Sequence, residues 1–305
     1  MNEEEAIEGE VPHEALFLVL PLLHLRDLLA ISQVCRSLRR AVNDDVLPWL
    51  NLVVGEPLNR RIFDDVLIRV TSKAQGRLST LALIGCNRIS DAGLLSVVAS
   101  NPFISKLHVP GCTGLTPDGI VAAVEVLSQQ GRRLTSLQIN GIYNLNPDHL
   151  QMLRPYLLIP SSSEDQDPDQ FYHDFIYLSQ PTYKKSSNRP MDVDICPKCN
   201  QVRMVFDCPR EACRRRPQER ECRGCYECIG RCVECGTCLT DDDEDEQQFD
   251  AACSDRLCSK CWLKLPKCNY CNRPYCRGHA REQISSPVGS AGFLCSSCYF
   301  HYVQQ

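Results

Sequence analysis

Eighteen of the 21 cysteines in this 305-residue chain lie between Cys196 and Cys298, and no other feature narrows the possible folds as much. They fall in close-spaced groups: Cys196/Cys199, Cys208/Cys213, Cys222/Cys225/Cys228, Cys232/Cys235/Cys238, Cys253/Cys258/Cys261, Cys268/Cys271, Cys276 with His279, and Cys295/Cys298. The N-terminus, Met1 to Glu10, is acidic and lacks the basic flank and apolar stretch of a leader, so the chain is expected in the nucleus and/or cytoplasm. Thiols stay reduced there, and this density then argues for metal ligation rather than disulfides. A two-residue gap lets both sulfurs reach one ion from a tight turn. A closed structural zinc site takes four ligands, hence two such pairs. With His279, and His301 as a further candidate, the set makes up to twenty ligands and predicts four or five zinc ions.

Residues 195–305 are therefore expected to form a small domain built around zinc. The stretch CPKCNQVRMVF, from Cys196 to Phe206, reads as a metal knuckle followed by a strand. Among the last eight ligands the expected pairing is interleaved: Cys258 and Cys261 with Cys276 and His279, and Cys268 and Cys271 with Cys295 and Cys298. Spacing alone permits other pairings. An interleaved cross-brace is also the plan of a RING-type ubiquitin ligase. Here only six residues separate the first two of these pairs, and the third is Cys-x2-His, which favours a structural or recognition role. Arg214, Arg215, Arg216, Arg220 and Arg223 form a basic cluster that would suit phosphates. The acidic run Asp241 to Glu246 and a net charge of -5 weigh against a nucleic-acid partner. The sequence holds no glycine-rich phosphate loop and no nucleophile elbow, so a non-catalytic chain is expected. No apolar run approaches the length of a membrane span, and no membrane association is expected.

The N-terminal segment carries helical punctuation. Pro12 suits a first helical position, and Leu16, Val19, Leu20 and Leu23 recur at helical spacing until Pro21 bends or stops the run. Asp27 reads as the N-cap of a second helix, whose stripe would continue through Leu28, Ile31, Val34, Cys35 and Leu38. Leu16 to Leu20 are five consecutive apolar residues, more than one helix face can hold. A unit of about forty residues has little core of its own, so the surplus is expected to be covered by a second protein. The segment resembles the F-box in Pro12, Glu14, Leu16, Val19, Leu20, Leu23, Arg26, Asp27, Leu28, Leu29, Val34, Cys35, Arg36 and Leu38, with Trp49 at the late aromatic position. Val11 and Leu38 depart from the usual residues but keep their apolar character. The resemblance implies binding to a Skp-family adaptor through Pro12, Leu16, Val19, Leu20, Leu28, Leu29 and Val34.

The middle of the chain repeats. LSTLALIGCNRISDAGLLSVV, ISKLHVPGCTGLTPDGIVAAV and LTSLQINGIYNLNPDHLQML align so that Leu81, Leu107 and Leu137 are equivalent. So are Leu83, Val109 and Ile139; Ile89, Leu115 and Leu145; and Leu94, Ile120 and Leu150. Leu50 and Leu52 with Ile62 to Val70 suggest a degenerate earlier copy. Each copy would supply one parallel strand and one helix and bury its leucines against the next. The pattern resembles cysteine-containing leucine-rich repeats, with Cys86 and Cys112 as core residues at the turn. The strand side chains expected to face outward are Thr80, Ala82, Lys106, His108, Ser136 and Gln138. Lys106, His108, Ser136 and Gln138 are the candidate substrate face, and a spacer role for the block stays open beside it.

The chain thus reads as multidomain α+β: a helical F-box over 11–54, a short leucine-rich-repeat α/β solenoid over 55–157, a linker over 158–194 and a small zinc-stabilised domain over 195–305. Within the linker, Phe171, Tyr172, Phe175, Tyr177 and Tyr183 suggest a strip docked on a neighbouring domain. The three-part order resembles plant Skp-interacting F-box proteins with a cysteine-rich C-terminus. That resemblance implies a substrate-receptor subunit of an SCF ubiquitin ligase, joined through the adaptor to cullin and a RING-box protein and presenting an unknown protein substrate. A zinc scaffold acting outside an SCF, for example on chromatin, and a RING-like ligase in its own right remain the alternatives.

Overall fold

The computed structural model describes residues 14–158, 189–214, 222–239, 248–285 and 292–303. The chain divides into two compact units: one formed by residues up to Ser161 together with Arg189–Asp192, and a second holding the remainder. Pro12, the aromatic strip, Arg215, Arg216, Arg220 and the acidic run lie outside the described residues. Among the described residues no helix is long and apolar enough to cross a membrane.

The first unit opens with three short helices, α1 (Ala15–Val19), α2 (Leu25–Ile31) and α3 (Arg36–Asp44). Pro21 ends α1 as its ring dictates: the chain tightens into a 3-10 turn over Leu20–Leu22 and leaves extended at Leu23. Asp27 is not the N-cap of α2. His24 holds that position, and Asp27 lies in the first turn, where its charge meets the positive end of the helix. The single stripe expected from Leu28 to Leu38 is split in two, because Cys35 is itself an N-cap whose Sγ accepts from the Leu38 amide at 3.5 Å. Leu20, Leu25, Leu28, Leu38 and Val42 form the buried side of this unit. Trp49 closes it, fully buried, with its Nε1 donating to the Val42 carbonyl at 2.7 Å.

The chain then enters a four-stranded parallel sheet ordered β1 (Asn51–Val54), β2 (Thr80–Leu83), β3 (Lys106–His108) and β4 (Ser136–Gln138). Each strand is followed by a helix: α4 (Asp64–Thr71), α5 (Asp91–Ser100), α6 (Pro117–Gln129) and α7 (Pro147–Leu153). The register pairs Leu52 with Leu81, Leu81 with Leu107 and Leu107 with Leu137, the same equivalence that self-alignment of the sequence gives. Leu83, Val109 and Ile139, and likewise Leu94, Ile120 and Leu150, are fully buried, as are Cys86 and Cys112. The degenerate first copy therefore folds like the others.

Adjacent copies are stitched at their helix N-termini. Asp64 accepts from the Ser90 amide at 2.9 Å and its hydroxyl at 2.5 Å, while Ser90 caps α5. Asp91 repeats this with Thr116, at 2.9 and 2.7 Å, and Thr116 caps α6. Each carboxylate sits where a Cβ would fall on the next helix, at Gly93 and Gly119 respectively. Replacing Gly93 with Ala is expected to displace Asp64 from Ser90 and destabilise the unit by about 1–3 kcal/mol, read as a lowered chemical-unfolding midpoint. An unchanged midpoint would show that the seat has slack.

The far edge of the sheet is closed. Within the stretch read as a linker, residues 190–192 run beside β4, the Leu137 amide donating to Pro190 at 2.7 Å and the Asp192 amide to Leu137 at 3.3 Å. The Asp192 carboxylate accepts from the amides of Ile139 and Asn140 at 2.9 and 3.1 Å. Desolvation of this partly buried carboxylate raises its pKa to about 6 despite these bonds. Unpaired strand edges invite further pairing, and this return segment removes that possibility.

The second unit is made of short hairpins and single-turn helices. Its apolar clusters hold three to six buried residues each, and cysteines supply much of them. Such clusters are too small to hold a fold by burial alone.

Candidate metal centres and an exposed apolar face

Three stretches of the second unit fold into the same knuckle. In each, the residue after the second cysteine takes a positive φ: Asn200 at 57°, Gly236 at 74° and Asn272 at 55°. Asn and Gly are the residues that tolerate this region. The amides of these residues donate to the carbonyls of Cys196, Cys232 and Cys268 at 2.8, 2.8 and 3.0 Å. The turn brings both sulfurs of Cys196/Cys199, Cys232/Cys235 and Cys268/Cys271 to one side. Partner pairs come from elsewhere: Cys258 and Cys261 open the helix Ser259–Lys264, and Cys295 and Cys298 open Ser296–Val303. Helix N-termini favour such anionic groups.

Five four-residue clusters result, each with its ligand atoms within 4.8 Å of one another. In chain order they are Cys196, Cys199, Cys225 and Cys228; Cys208, Cys213, Cys222 and Cys238; Cys232, Cys235, Cys258 and Cys261; Cys253, Asp255, Cys276 and His279; and Cys268, Cys271, Cys295 and Cys298. All eighteen clustered cysteines and His279 are used, and every cysteine is a free thiol. Sulfur–sulfur distances such as Cys208–Cys238 at 3.6 Å, Cys235–Cys258 at 3.8 Å and Cys271–Cys295 at 3.7 Å are far from a disulfide bond. They match the edge of a sulfur tetrahedron around zinc, about 3.8 Å for a metal–sulfur bond of about 2.3 Å. The residues present thus fit a four-coordinate ion. Crowding makes the thiols unequal: the Cys238 thiol pulls Cys208 down to about 5, and burial pushes Cys213 up to about 12. Ionising all four thiols at this separation would need a cation between them.

The pairing expected for the last ligands holds for the fifth cluster and changes for the others. Cys258 and Cys261 meet Cys232 and Cys235, not Cys276 and His279. The cause is the hairpin of Gln248–Asp250 and Arg256–Cys258: Cys253 and Asp255 sit on its turn and Cys258 at the far strand end. Asp255 is a ligand candidate that cysteine counting could not find; its signal is the gap of one residue after Cys253. His301 is exposed and joins no cluster. Each cluster interleaves with the next, because its last ligands follow the first ligands of its neighbour.

Two other expectations change. His108 and Ser136 do not form an open substrate face: both are buried, and His108 Nε2 meets Ser136 Oγ at 2.9 Å. Burial lowers the His108 pKa to about 4. Thr80 and Ala82 are buried too, leaving Lys106 and Gln138 partly open. Arg223 is not available to phosphates either, since it pairs with Asp207 at 2.7 Å and Asp194 at 2.9 Å.

On the N-terminal helices the candidate partner residues divide. Leu20 and Leu28 point into the unit's own core. Leu16, Val19, Leu29 and Val34 stay exposed, joined by Leu18 at 79%, Leu22 at 80% and Leu47, which the sequence reading did not single out. The described N-terminal helices thus bury one set of leucines in their own core and leave another bare, and a strand–helix stack and a cysteine-clustered unit follow them. The family model described as F-box-like matches residues 9–54, and the one described as At3g27290 F-box protein C-terminal domain matches residues 192–270. The chain belongs to the F-box protein family. It is 40% identical to F-box protein SKIP28 of Arabidopsis thaliana over 98% of this chain and 94% of that one. It is 36% identical to F-box protein SKIP14 and 34% identical to F-box protein At3g27290 of the same plant, spanning 56% and 61% of their lengths.

Proposed function

We propose that this chain is the substrate-receptor subunit of an SCF-type cullin ubiquitin ligase. The observation that carries the reading is the bare apolar set Leu16, Leu18, Val19, Leu22, Leu29, Val34 and Leu47 on helices of F-box type. A Skp-family adaptor would cover it, and the names of two relatives point the same way. Through the adaptor the chain would reach cullin and a RING-box protein, in the nucleus or cytoplasm. The strand–helix stack is read as a leucine-rich-repeat block; Lys73, whose Nζ lies 4.5 Å from the Trp49 ring centre, links it to the F-box helices. A protein target held by this block or by the second unit would meet activated ubiquitin at raised effective concentration. The chain itself performs no bond chemistry.

The five clusters are read as zinc sites. Zinc would supply charge neutralisation and cross-linking there, and the residues do the rest: knuckles aim sulfurs, helix N-termini favour thiolates, and Asp255 and His279 complete the fourth site. Tagged full-length protein captured from cells is expected to bring down a Skp-family adaptor and cullin. Capture of neither would sink the receptor reading.

One observation favours a second reading. The third and fourth clusters alternate as pairs along the chain, the cross-brace plan of RING ligases, and the first two pairs, Cys232/Cys235 and Cys253/Asp255, are now well separated in sequence rather than crowded together. Ubiquitin chains formed by the full-length protein without cullin would replace the receptor reading with this one.

A further inference from the structure

The fourth cluster differs from its neighbours in chemistry. The other four offer four sulfurs each; this one offers two sulfurs, the Asp255 carboxylate and the His279 imidazole. We propose that the fourth site holds an exchangeable zinc ion, while the four all-sulfur sites hold theirs through the life of the fold. The proposal rests on reading the clusters as zinc sites.

The geometry makes this a built site. Asp255 Oδ2 lies 3.3 Å from Cys253 Sγ, 3.2 Å from Cys276 Sγ and 3.1 Å from His279 Nδ1. His279 turns Nδ1 inward, 3.2 Å from Cys276 Sγ, and its Nε2 lies 4.0 Å from Glu282 Oε1. The Glu282 carboxylate lies at ion-pair rather than hydrogen-bond distance from the outer nitrogen, near enough to favour this orientation of a ligating imidazole electrostatically.

Two features set its exchange rate apart. Soft thiolates retain zinc better than a carboxylate does, so the Asp255 bond is the one an incoming donor displaces. In that step the new donor forms a bond to zinc as the carboxylate oxygen leaves it, with no change of oxidation state. Second, His279 rides on the 3-10 turn Arg277–Glu282, which buries none of its residues. That turn is held from behind by Glu234, a side chain only 5% exposed within the third site's knuckle. Glu234 Oε1 accepts from the Arg277 amide at 2.7 Å and Oε2 pairs with Arg277 Nε at 3.2 Å. The turn can therefore release its ligand while its N-terminal end stays anchored and the neighbouring sulfurs stay in place. Exposure alone would not single this site out, since Cys228 of the first site is exposed as well; the donor set does.

The test is native mass spectrometry of zinc-loaded full-length protein during graded addition of a mild chelator, with alkylation to map freed thiols. The expected result is one ion lost first, a persistent four-zinc species, and labelling confined to Cys253 and Cys276. Asp255→Cys is expected to slow that first loss at least tenfold. Glu282→Gln, which leaves all four ligands, is expected to speed it severalfold. Loss of all five ions together, first labelling at another site, or unchanged rates in both variants would overturn the proposal. Protein purified without any zinc would instead sink the zinc reading beneath it.

Discussion

Stripping metal from the full-length protein with excess strong chelator is expected to unfold the second unit and leave the first intact. Among its described residues the second unit's apolar clusters hold at most six buried residues, whereas the first unit buries apolar side chains from Leu20 through to Leu157. Structural zinc in zinc-finger peptides contributes about 10–16 kcal/mol of apparent folding free energy, on the order of a whole domain's net stability. Removing it also leaves thiols packed at under 4 Å with nothing to hold them. Hydrogen exchange is the measurement: amides of the three knuckles should lose protection, while those of β2, β3 and β4 keep it. Full protection of Asn200, Gly236 and Asn272 after verified metal loss would mean that the unit folds by itself and that the clusters are not structural.

Changing Leu18 and Leu22 together to Asp is expected to abolish capture of a Skp-family adaptor, by at least a hundredfold in affinity, without altering the melting of the first unit. Burying each leucine side chain at an interface contributes about 1.5–3 kcal/mol, and putting a carboxylate there adds its desolvation cost. Both positions are about four-fifths exposed, so the free protein loses nothing. Leu20→Asp is the contrasting case: that side chain is buried in the unit's own core, and its loss of binding would come with unfolding. Undiminished adaptor capture by the folded double variant would remove this face from the interface.

Much of this was legible before any coordinates. The leucine register of β2, β3 and β4 was written in the 26- and 30-residue steps from Leu81 to Leu107 to Leu137, because each copy buries the same positions against the next. The helical N-terminus was legible in the spacing of its leucines, but not which of them face inward. Leu18 and Leu20 are alike as residues and lie on opposite sides of the helical run, and spacing does not say which side the core takes. The cysteine pairs were plain, and their partners were not: a gap of two residues says that two sulfurs converge, never on what. The hairpin that swings Cys253 and Asp255 away from Cys258 depends on strand pairing that short, irregular segments do not advertise. His108 and Ser136 followed the alternation of a strand face correctly; their burial comes from tertiary packing that strand alternation does not specify.

The interleaving of the metal clusters has a consequence for how the protein is made. As the chain leaves the ribosome, the final donor of each cluster emerges in the order Cys228, Cys238, Cys261, His279, Cys298. Every cluster is complete before its successor, yet by then at least half of that successor is already out. If the clusters take up metal as they emerge, capture would run from front to back, each closed cluster holding the tail in place for the next.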